Sequence, residues 1–503
     1  MRRIRYYWDN KPLEFILVLS FLTRLVSVVF SKGYGMHDDH FLVVESAQAW
    51  IDGDTEFQWL PSESSTGSPS GHSWFYVGLH YYLFQFLDII GLNAPQGKMY
   101  VVRLIHALWY LLAIKFAYKT VLKLSTSETA KWVGLFIGVL WFTPIMSVRN
   151  LVEVVCLTPL LGATYYLIKE ERLAWKHIFA AGMLLGVAVA VRFQTVLFVG
   201  GIGLVLLSKN VMKAFGLGVF FAISLFLTQI ADLYFWGQPF AEFSEYIAYN
   251  FANKTTYFSR PWYMYFGTIS GLLLPPFSVF LFIGLSKVFK KKYLLLVVPS
   301  LIFFGFHCYF PNKQERFIIP FIPYFMMLGW IGWSELLESG GVHIHKWNKY
   351  GMRFFWGLNT VLLLAITPAY TKKSRVEVME FVGGEEGYSG LIAEQSIEYE
   401  VPLMPRFYSD HWTKHYDLAK GDDVAALVQR YTHPTNNKRP SHIAFFQPDE
   451  LDERKKKVEV NCGCELVEKA VIEPSYLDKF VHWLNPVNDN EMAFVYELNY
   501  FDK

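Results

Sequence analysis

A short segment of this chain holds the residue types that could do acid–base chemistry. Residues 35–41 read Gly-Met-His-Asp-Asp-His-Phe, directly after the first apolar run. Two acids beside two histidines could bind a metal, but neighbouring side chains point apart and metal ligands must converge. The structural alternative is a solvated turn that begins a helix with an aspartate as its N-cap. A single carboxylate can act as a general base, so Asp38 is the candidate base, with Asp39 beside it.

Cationic side chains in later apolar regions could bind an anion. Arg192 interrupts a long apolar stretch, and Lys313 and Arg316 lie between two others. The planar fork of a guanidinium matches two oxygens of a phosphate, so these residues indicate an anionic ligand. The alternative is that they reach out to lipid headgroups, the common fate of Lys and Arg at helix ends. Arg149 and Glu153 are four residues apart, which predicts an ion pair on one helix turn.

The cysteines do not indicate a metal site. The chain has four of them, too few for a disulfide framework in 503 residues. Cys462 and Cys464 form a Cys-x-Cys pair without a second pair or a nearby histidine, which is not zinc-site spacing. All four are therefore interpreted as structural. We expect neither a metal nor another cofactor.

The composition is that of a membrane protein. Of the 503 residues, 53% are hydrophobic, 18% are aromatic and only 18% are charged, whereas soluble domains carry about a quarter charged residues. The mean hydropathy is +0.24. These values exclude a disordered, collagen-like or disulfide-rich chain and an ordinary soluble enzyme. A net charge of +2 gives no reason to expect nucleic acid as a partner.

Apolar runs recur from residue 13 to about residue 370, each near the ~20 residues that a bilayer requires of a helix. Residues 1–370 are therefore predicted to form a multi-spanning α-helical domain with about eleven transmembrane helices. The first run, residues 13–30, resembles a signal peptide, but no small-residue cleavage site follows it, so we expect a retained anchor. Residues 371–503 are rich in charges and predict one soluble α/β domain.

The orientation depends on residues 74–90, a short apolar stretch that contains His80, Gln85 and Asp88. If it lies along the interface, as one of the interfacial helices of a first external loop (residues 31–100), every strongly basic connector falls inside. If it crosses, the basic residues 290–292 fall outside and the positive-inside rule fails. We take the interfacial interpretation, which makes the C-terminal domain external.

That orientation gathers the unusual polar residues on one face of the membrane. Ionisable groups at bilayer depth are costly and usually mark a functional site, so their convergence predicts a cavity. The residues in this set are Asp38, Asp39, Arg149, Glu153, Arg192, Asp232, Asn250, Arg260, Lys313 and Arg316.

An aromatic-rich segment, residues 235–265, falls on the same face. An interfacial aromatic belt would explain part of it. Stacking against sugars, or contact with a lipid chain, would explain the rest, and composition does not separate these possibilities. Trp262 and Tyr265 belong to this segment.

Six segments together resemble glycosyltransferase family 22, the multi-spanning mannosyltransferases of the N-glycan and GPI-anchor pathways, which use dolichyl-phosphate mannose. They cover residues 36 to about 323, in the family's order and at similar spacing. In this sequence the segments are residues 36–45 (MHDDHFLVVE), 149–153 (RNLVE), Arg192, 232–237 (DLYFWG), Asn250 with 257–265 (YFSRPWYMY), and 312–317 (NKQERF). Residues 402–409 bear a weaker resemblance to a stretch of the enzymes that add the third mannose of GPI anchors.

The resemblance implies a GT-C fold and an inverting transfer of a mannose-like sugar from a polyprenyl phosphate to a glycan or glycolipid acceptor. Asp38, with Asp39, would be catalytic, and no metal would be needed. The donor phosphate would be bound by Arg192, Lys313, Arg316 and Arg260. The sugar or the loops would be positioned by His37, Glu45, Asn150, Glu153, Asp232, Asn250, Trp262 and Tyr265.

Departures from the family's motifs leave the sugar and acceptor open. Met36 replaces a histidine, His37 a proline and Asp39 a glutamate, and Asn312 and Arg260 each replace a further histidine. These changes indicate a divergent member. Two settings stay open: a bacterial inner membrane with undecaprenyl phosphate, and an ER membrane with dolichyl phosphate, with the active site on the periplasmic or lumenal face. A lipid-linked sugar translocator and a transferase of another sugar are the alternative functions.

Overall fold

The computed structural model describes residues 2–53, 69, 71–168, 173–256, 259–395, 404–410, 412–419, 421–437, 439–484 and 492–501. Tyr257, Phe258, Pro402 and Leu403, which belong to the motifs above, lie outside the described residues, as does much of residues 54–70. The chain forms two compact units. The first comprises Met1–Val29, Pro61–Leu79 and Val102–Pro368, and the second Phe30–Leu60, His80–Val101 and Ala369–Lys503.

Most of the described residues up to residue 366 are helical, as the long apolar runs predict. Its α-helices are Arg2–Asn10, Pro12–Phe30, His37–Asp39, Ser46–Asp52, Trp74–Ile89, Pro95–Leu124, Ser127–Val139, Thr143–Ser147, Val152–Val155, Leu157–Ile168, Trp175–Val191, Val196–Lys209, Val211–Thr228, Ile230–Trp236, Ala241–Ala252, Met264–Leu272, Phe277–Leu285, Leu294–Tyr309, Ile322–Ser339 and Val342–Ile366. A π-helix, His40–Glu45, and 3-10 helices at Phe193–Thr195, Lys291–Tyr293 and Glu315–Phe321 join them.

Within the described residues, five helical segments are long and apolar enough to cross a bilayer. Three further apolar helical segments are shorter. The five long segments alone therefore do not account for the eleven or so crossings that the sequence predicts. Residues 74–89 form one helix of 16 residues, and their placement along the interface stays a prediction. The five long segments are Pro12–Phe30, Pro95–Leu124, Val211–Thr228, Lys291–Tyr309 and Glu315–Ser339, and the three shorter ones are Val152–Ile168, Trp175–Val191 and Phe193–Lys209.

Glycine allows two of these helices to approach closely. Gly284 in Phe277–Leu285 faces Gly329 and Gly332 in Ile322–Ser339. A Cβ atom on Gly284 would lie 1.9 Å from the carbonyl oxygen of Gly329, so any side chain there would push the helices apart. Small residues at helix contacts are the usual means of packing helices inside a bilayer, where lipid competes for apolar surface.

The C-terminal residues form a five-stranded sheet with strands β1 (Gly390–Gln395), β2 (Lys414–Leu418), β3 (His442–Phe446), β4 (Cys464–Ile472) and β5 (Ala493–Tyr500). The strand order is β2-β1-β3-β5-β4. Strand β1 pairs in parallel with β2 and β3, and β5 pairs antiparallel with β3 and β4. This mixed sheet, with helices Lys373–Gly383, Val424–Tyr431, Leu451–Cys462 and Tyr476–Leu484, confirms the predicted α/β domain.

The core of this domain is centred on β3, whose five residues are all buried. Ile443 and Phe445 pack there with Ile392 and Val458. A disulfide between Cys462 and Cys464 links the end of helix Leu451–Cys462 to the start of β4. Cys156 and Cys308 are free and buried.

Candidate active site

Three charged side chains that the motifs single out meet in the first unit. The Arg192 Nη2 lies 3.0 Å from the Glu153 Oε1, and the Arg316 Nε lies 3.7 Å from the same oxygen. Glu153 is fully buried, and the two arginine side chains are about nine-tenths buried. Two guanidinium groups and one carboxylate leave a net positive charge in a place where little water can screen it.

Breaks in the helices bring these side chains together. Helix Trp175–Val191 ends just before Arg192, whose backbone is extended, with φ −142° and ψ 102°. Arg316 lies in the 3-10 helix Glu315–Phe321, and Glu153 in the four-residue helix Val152–Val155. Non-helical backbone at membrane depth is tolerated only where protein or a cavity surrounds it. The breaks therefore mark a built site.

Glu153 does not share a helix with Arg149, contrary to the predicted ion pair on one helix turn. Helix Thr143–Ser147 ends before Arg149, and the next helix begins only at Val152. The buried carboxylate of Glu153 pairs with Arg192 and Arg316 instead. Asn150, in the non-helical stretch between them, is buried.

A chain of hydrogen bonds extends from Arg192. Its Nη2 donates to the Gln194 Oε1 at 2.9 Å, and the Gln194 Nε2 donates to the Tyr246 hydroxyl at 2.6 Å. The His307 Nε2 lies 3.3 Å from the Gln194 Oε1. Sequence reasoning missed Gln194 and Tyr246. The position of Gln194, two residues after an arginine that ends a helix, was the available signal.

An apolar cavity of about 130 Å³ lies beside this chain of hydrogen bonds. Its walls are mainly aromatic, and they include Phe317, whose ring lies 5.2 Å from the Arg192 guanidinium and 5.6 Å from that of Arg316. Helix Ala241–Ala252, from the aromatic-rich segment, contributes Tyr246 and the predicted Asn250. The other aromatic lining residues are Phe193, Phe243, Phe251, Phe306 and Phe310.

Lys313 is buried close to this cavity, and its Nζ donates to the carbonyl of Phe310. Burial lowers the pKa of the Lys313 ammonium group. Asn312, which lines the cavity, forms an antiparallel bridge with Ser259. This bridge joins the segments that contain Lys313 and Arg260.

The three remaining predicted residues of that region differ in exposure. Tyr265 is buried and its hydroxyl donates to the carbonyl of Gln314 at 3.1 Å. Arg260 is exposed, although its backbone N–H donates to the carbonyl of Pro311 at 3.2 Å. Trp262 is 65% exposed. Only Tyr265 of the three has its side chain packed inside the unit.

Two acidic residues of the first unit, Asp232 and Glu242, are linked by a hydrogen bond, and only Asp232 was predicted from the sequence. Asp232 is buried, and its Oδ2 accepts the backbone N–H of Glu242 at 3.1 Å. Glu242, which the sequence analysis missed, accepts the indole N–H groups of Trp74 at 2.9 Å and Trp236 at 2.8 Å, and the backbone N–H of His72 at 3.0 Å. Burial raises the pKa of the Glu242 carboxyl to about 7 and also raises the pKa of Asp232. Glu242 therefore ties residues 72–74 to the segment around Trp236.

The candidate base lies in the second unit. Residues 37–52 are continuously helical, with an α-turn at His37–Asp39, the π-helix His40–Glu45 and the helix Ser46–Asp52. Met36 is the N-cap of the first turn, and Asp39 precedes the π-helix without a capping hydrogen bond from its side chain, so neither aspartate caps a helix with its side chain as the structural alternative requires. Asp38 is half-buried and Asp39 is buried. π-Helical turns are rare in proteins, and those that occur are frequently found at functional sites.

His40 and Glu45, the first and last residues of the π-helix, form a buried pair. The His40 Nε2 lies 3.3 Å from the Glu45 Oε1. The His40 ring stacks between Tyr34, at 4.6 Å, and Tyr408, at 5.6 Å. The Glu45 Oε1 also accepts the backbone N–H of Phe407 at 3.2 Å. Sequence reasoning selected His37 and Glu45 but missed His40.

The predicted site residues are divided between the two units. His37, Asp38, Asp39 and Glu45 belong to the second unit. Among the described residues, no group of three or more His, Cys, Asp or Glu side chains is arranged to hold a metal ion. The predicted residues of the first unit are Asn150, Glu153, Arg192, Asp232, Asn250, Arg260, Trp262, Tyr265, Lys313 and Arg316.

Comparison with solved structures defines the class of the protein, a polytopic membrane protein with the GT-C fold. ArnT from Cupriavidus metallidurans, solved bound to undecaprenyl phosphate, superposes with a TM-score of 0.63 at 12% identity, covering 96% of this chain and 97% of ArnT. The Archaeoglobus fulgidus oligosaccharyltransferase superposes with a TM-score of 0.52 at 11% identity, covering 90% of this chain and 72% of that enzyme. The predicted fold class is confirmed.

The chain belongs to the Alg9-like mannosyltransferase family, whose model matches residues 15–386. It is 22% identical over 307 residues to human GPI alpha-1,2-mannosyltransferase 3, covering 60% of this chain and 53% of the human protein. It is 26% identical over 174 residues to Saccharomyces cerevisiae GPI mannosyltransferase 3, covering 31% of this chain and 27% of the yeast protein. The matches therefore span about half or less of the length of these relatives. The predicted family is confirmed.

Proposed function

We propose that this protein is an inverting mannosyltransferase that moves a mannose-like sugar from a polyprenyl phosphate to a glycan or glycolipid acceptor. The observation that carries the proposal is the buried cluster of Arg192, Arg316 and Glu153 beside an apolar cavity. A polyprenyl-phosphate sugar has a charged phosphate next to an apolar chain, so it needs both environments side by side. Membership of a mannosyltransferase family supports the choice of sugar.

The charge of the cluster suits a phosphate leaving group. Without a ligand, Glu153 offsets part of the repulsion between Arg192 and Arg316. A bound phosphodiester would bring one negative charge, and the phosphate gains a second as the sugar leaves. Cationic donors fixed in a site with little water stabilise developing charge strongly. Lys313 adds a further positive group, and we assign Arg260 an outer role because its side chain is exposed.

The aromatic cavity would accommodate the start of the isoprenoid chain. Phe193, Phe306 and Phe310 supply apolar surface, while Gln194 connects the cavity to Arg192. The structure of ArnT, which shares the fold, was solved with undecaprenyl phosphate, a lipid of the proposed chemistry. The donor would be either an undecaprenyl-phosphate sugar or a dolichyl-phosphate sugar.

In the proposed reaction, the carboxylate of Asp38 takes the proton from the acceptor hydroxyl. The acceptor oxygen attacks the anomeric carbon, the bond from that carbon to the phosphate oxygen breaks, and the electron pair leaves with the phosphate. The configuration at the anomeric carbon therefore inverts. Because phosphate is a good leaving group, the step needs no metal. Asp39 is the second candidate, and its burial suits a supporting role.

The other predicted residues are assigned positioning roles. Glu153 holds Arg192 and Arg316 together, and Asp232 is linked to the backbone of Glu242. Glu45 holds His40 and the backbone of Phe407. The remaining residues with a proposed positioning role are His37, Asn150, Asn250, Trp262 and Tyr265.

We place the reaction on the external face of a multi-pass membrane protein. That face would be periplasmic in a bacterial inner membrane and lumenal in an ER membrane. The basic connectors support this orientation. The partners are then the lipid-linked donor, the glycan or glycolipid acceptor and the membrane lipid.

The proposal is tested with the purified full-length protein in detergent. It is given polyprenyl-phosphate mannose and candidate acceptors, and the products are identified by mass spectrometry. We expect an acceptor that gains one hexose, with transfer at low donor concentration reduced in Arg192→Ala. If no acceptor gains a sugar, and the protein reconstituted into vesicles moves the donor from one leaflet to the other, the protein is instead a translocator.

A further inference from the structure

The helix Tyr476–Leu484 of the second unit carries several large apolar side chains that are half or more exposed. Tyr476 is 51% exposed, Phe480 52%, Trp483 74% and Leu484 61%. Their spacing of four, three and one places them on one side of a helix. The rings of Phe480 and Trp483 stack at 5.9 Å. Asp478 and His482 lie towards the opposite side, and Lys479 flanks the apolar residues.

The other helices of the C-terminal residues pack apolar side chains into the domain. Helix Lys373–Gly383 buries Val376 and Met379, and helix Leu451–Cys462 buries Val458. Helix Tyr476–Leu484 buries no residue completely. Phe480, Trp483 and Leu484 therefore contribute little to the core and expose apolar surface that can contact something outside the domain.

Hydrogen bonds within the second unit link the segment before this helix to Ser31 and Lys32, which follow the first candidate span. The candidate span Pro12–Phe30 ends one residue before Ser31, whose hydroxyl donates to the carbonyl of Ala369 at 2.9 Å. The backbone N–H of Thr371 donates to the carbonyl of Lys32 at 3.3 Å. Residues 369–371 are therefore held at the end of the first span.

The same connection continues to the aromatic helix. The Nζ of Lys373, two residues after Thr371, donates to the backbone carbonyl of Glu473 at 3.0 Å. The carboxylate of Glu473 pairs with Lys479 of helix Tyr476–Leu484. This short series of contacts joins the end of a membrane span to the helix, within the second unit.

We propose that helix Tyr476–Leu484 lies in the interfacial layer of the bilayer, with Tyr476, Phe480, Trp483 and Leu484 in contact with lipid. Amphipathic helices with aromatic apolar faces bind in the plane of the interface, and Trp and Tyr concentrate there. The contacts that tie the helix to the end of a span favour lipid over a soluble partner. The helix would then anchor the C-terminal domain at a fixed height above the membrane.

The test uses the full-length protein in phosphatidylcholine vesicles, with an environment-sensitive fluorophore on one introduced cysteine. The label is attached at Trp483→Cys or Phe480→Cys. Val460→Cys, which replaces an exposed residue of helix Leu451–Cys462, is the matched control. Cys156 and Cys308 are free but buried, and replacing both with alanine removes background labelling.

We expect the fluorophore at position 480 or 483 to emit at a shorter wavelength than the fluorophore at position 460. Spin-labelled lipid should quench these two positions several-fold more than position 460, and aqueous iodide should quench them less. Equal iodide quenching at 460, 480 and 483, with no quenching by lipid, would overturn the proposal. A shift that persists in detergent and grows with protein concentration would also overturn it, since a second copy would then cover the face. Size-exclusion profiles matching wild type establish that each labelled variant is folded.

Discussion

The Nε2 atom of His40 lies 3.3 Å from the Oε1 atom of Glu45, and both side chains are 1% exposed. The same carboxylate oxygen accepts the backbone N–H of Phe407, 362 residues away in the chain. One buried acid therefore fixes both the π-helix that follows Asp38 and Asp39 and the segment Arg406–Ser409. The two aspartates lie on the turn directly before this anchored pair.

Replacement of His40 with alanine should lower kcat while leaving donor KM close to the wild-type value. Without His40, the carboxylate of Glu45 keeps the backbone N–H of Phe407 but loses its contact with the start of the π-helix, so the turn bearing Asp38 can shift. A misplacement of ~1 Å can cost on the order of 10²-fold in rate. Steady-state kinetics on purified protein check this, and His40→Gln should recover part of the activity.

His442→Ala is the matched control, because His442 is also a buried histidine of the second unit but lies in β3. It should reduce the yield of folded protein more than kcat per folded molecule. Equal kcat in wild type and His40→Ala would remove His40 from the positioning of the site.

Replacement of Arg192 or Arg316 with alanine should weaken use of the donor much more than use of the acceptor. A hydrogen bond to a charged group contributes about 1.5–3 kcal/mol, which corresponds to roughly a tenfold or greater rise in donor KM. Lysine at either position should rescue partly, since it restores the charge without the bidentate fork. Lys213→Ala, which removes a cation over the Trp175 ring, is the control. Unchanged donor KM in both alanine variants would leave the arginines as headgroup anchors.

We expect the free energy of unfolding to fall as the pH rises, because of Glu242. Burial raises the pKa of its carboxyl from 4.5 to about 7 in the folded state. Between these values the folded state holds a proton that the unfolded state releases, so raising the pH favours unfolding. Glu242→Gln should flatten this slope between about pH 4.5 and pH 7, measured by thermal unfolding in detergent. Glu245→Gln, on the same helix, should keep it. A wild-type slope in Glu242→Gln would show that another group is responsible.

The connector at residues 290–292 should be cytoplasmic and residues 372–503 external. The asymmetry of basic residues is the reason. Single cysteines at Lys291→Cys and Val460→Cys, both exposed positions, can be treated with an impermeant maleimide in intact cells. Labelling at position 460 only is the expected result, with position 291 reacting after permeabilisation. Labelling at position 291 in intact cells would reverse the topology.

The sequence predicted the residues that belong to contiguous motifs. Arg192 was found because it interrupts an apolar stretch, and Glu153 and Arg316 because they lie at the edges of such stretches; the structure brings the three together. Their pairing was not predicted, since Arg149 lies closer to Glu153 in sequence. Helical periodicity carries no sign of the break at residues 148–151.

Residues whose importance depends on distant contacts could not be found in this way. Glu242 is bonded to Trp74, 168 residues earlier, and it stands in no conspicuous motif. The number of long membrane helices was also not readable from hydropathy, because several apolar runs form short or broken helices. The sheet was more accessible, since Ile392 and Ile443 stand in short apolar stretches that became β1 and β3.

The proposed reaction depends most on Asp38 as the general base. Asp38→Asn keeps the size and polarity of the side chain but cannot take a proton. The decisive measurement is the turnover of purified Asp38→Asn with saturating donor and acceptor, beside wild type and Asp39→Asn. Each variant must first elute as a single species and bind the donor.

We expect Asp38→Asn to lose ~10²–10⁴ in rate. Asp39→Asn, which changes a buried side chain with a supporting role, should lose less. If Asp39→Asn is instead the inactive variant, the base moves by one position and the reaction class stands. Turnover of Asp38→Asn within about threefold of wild type, far less than removal of a base costs, would contradict the assignment.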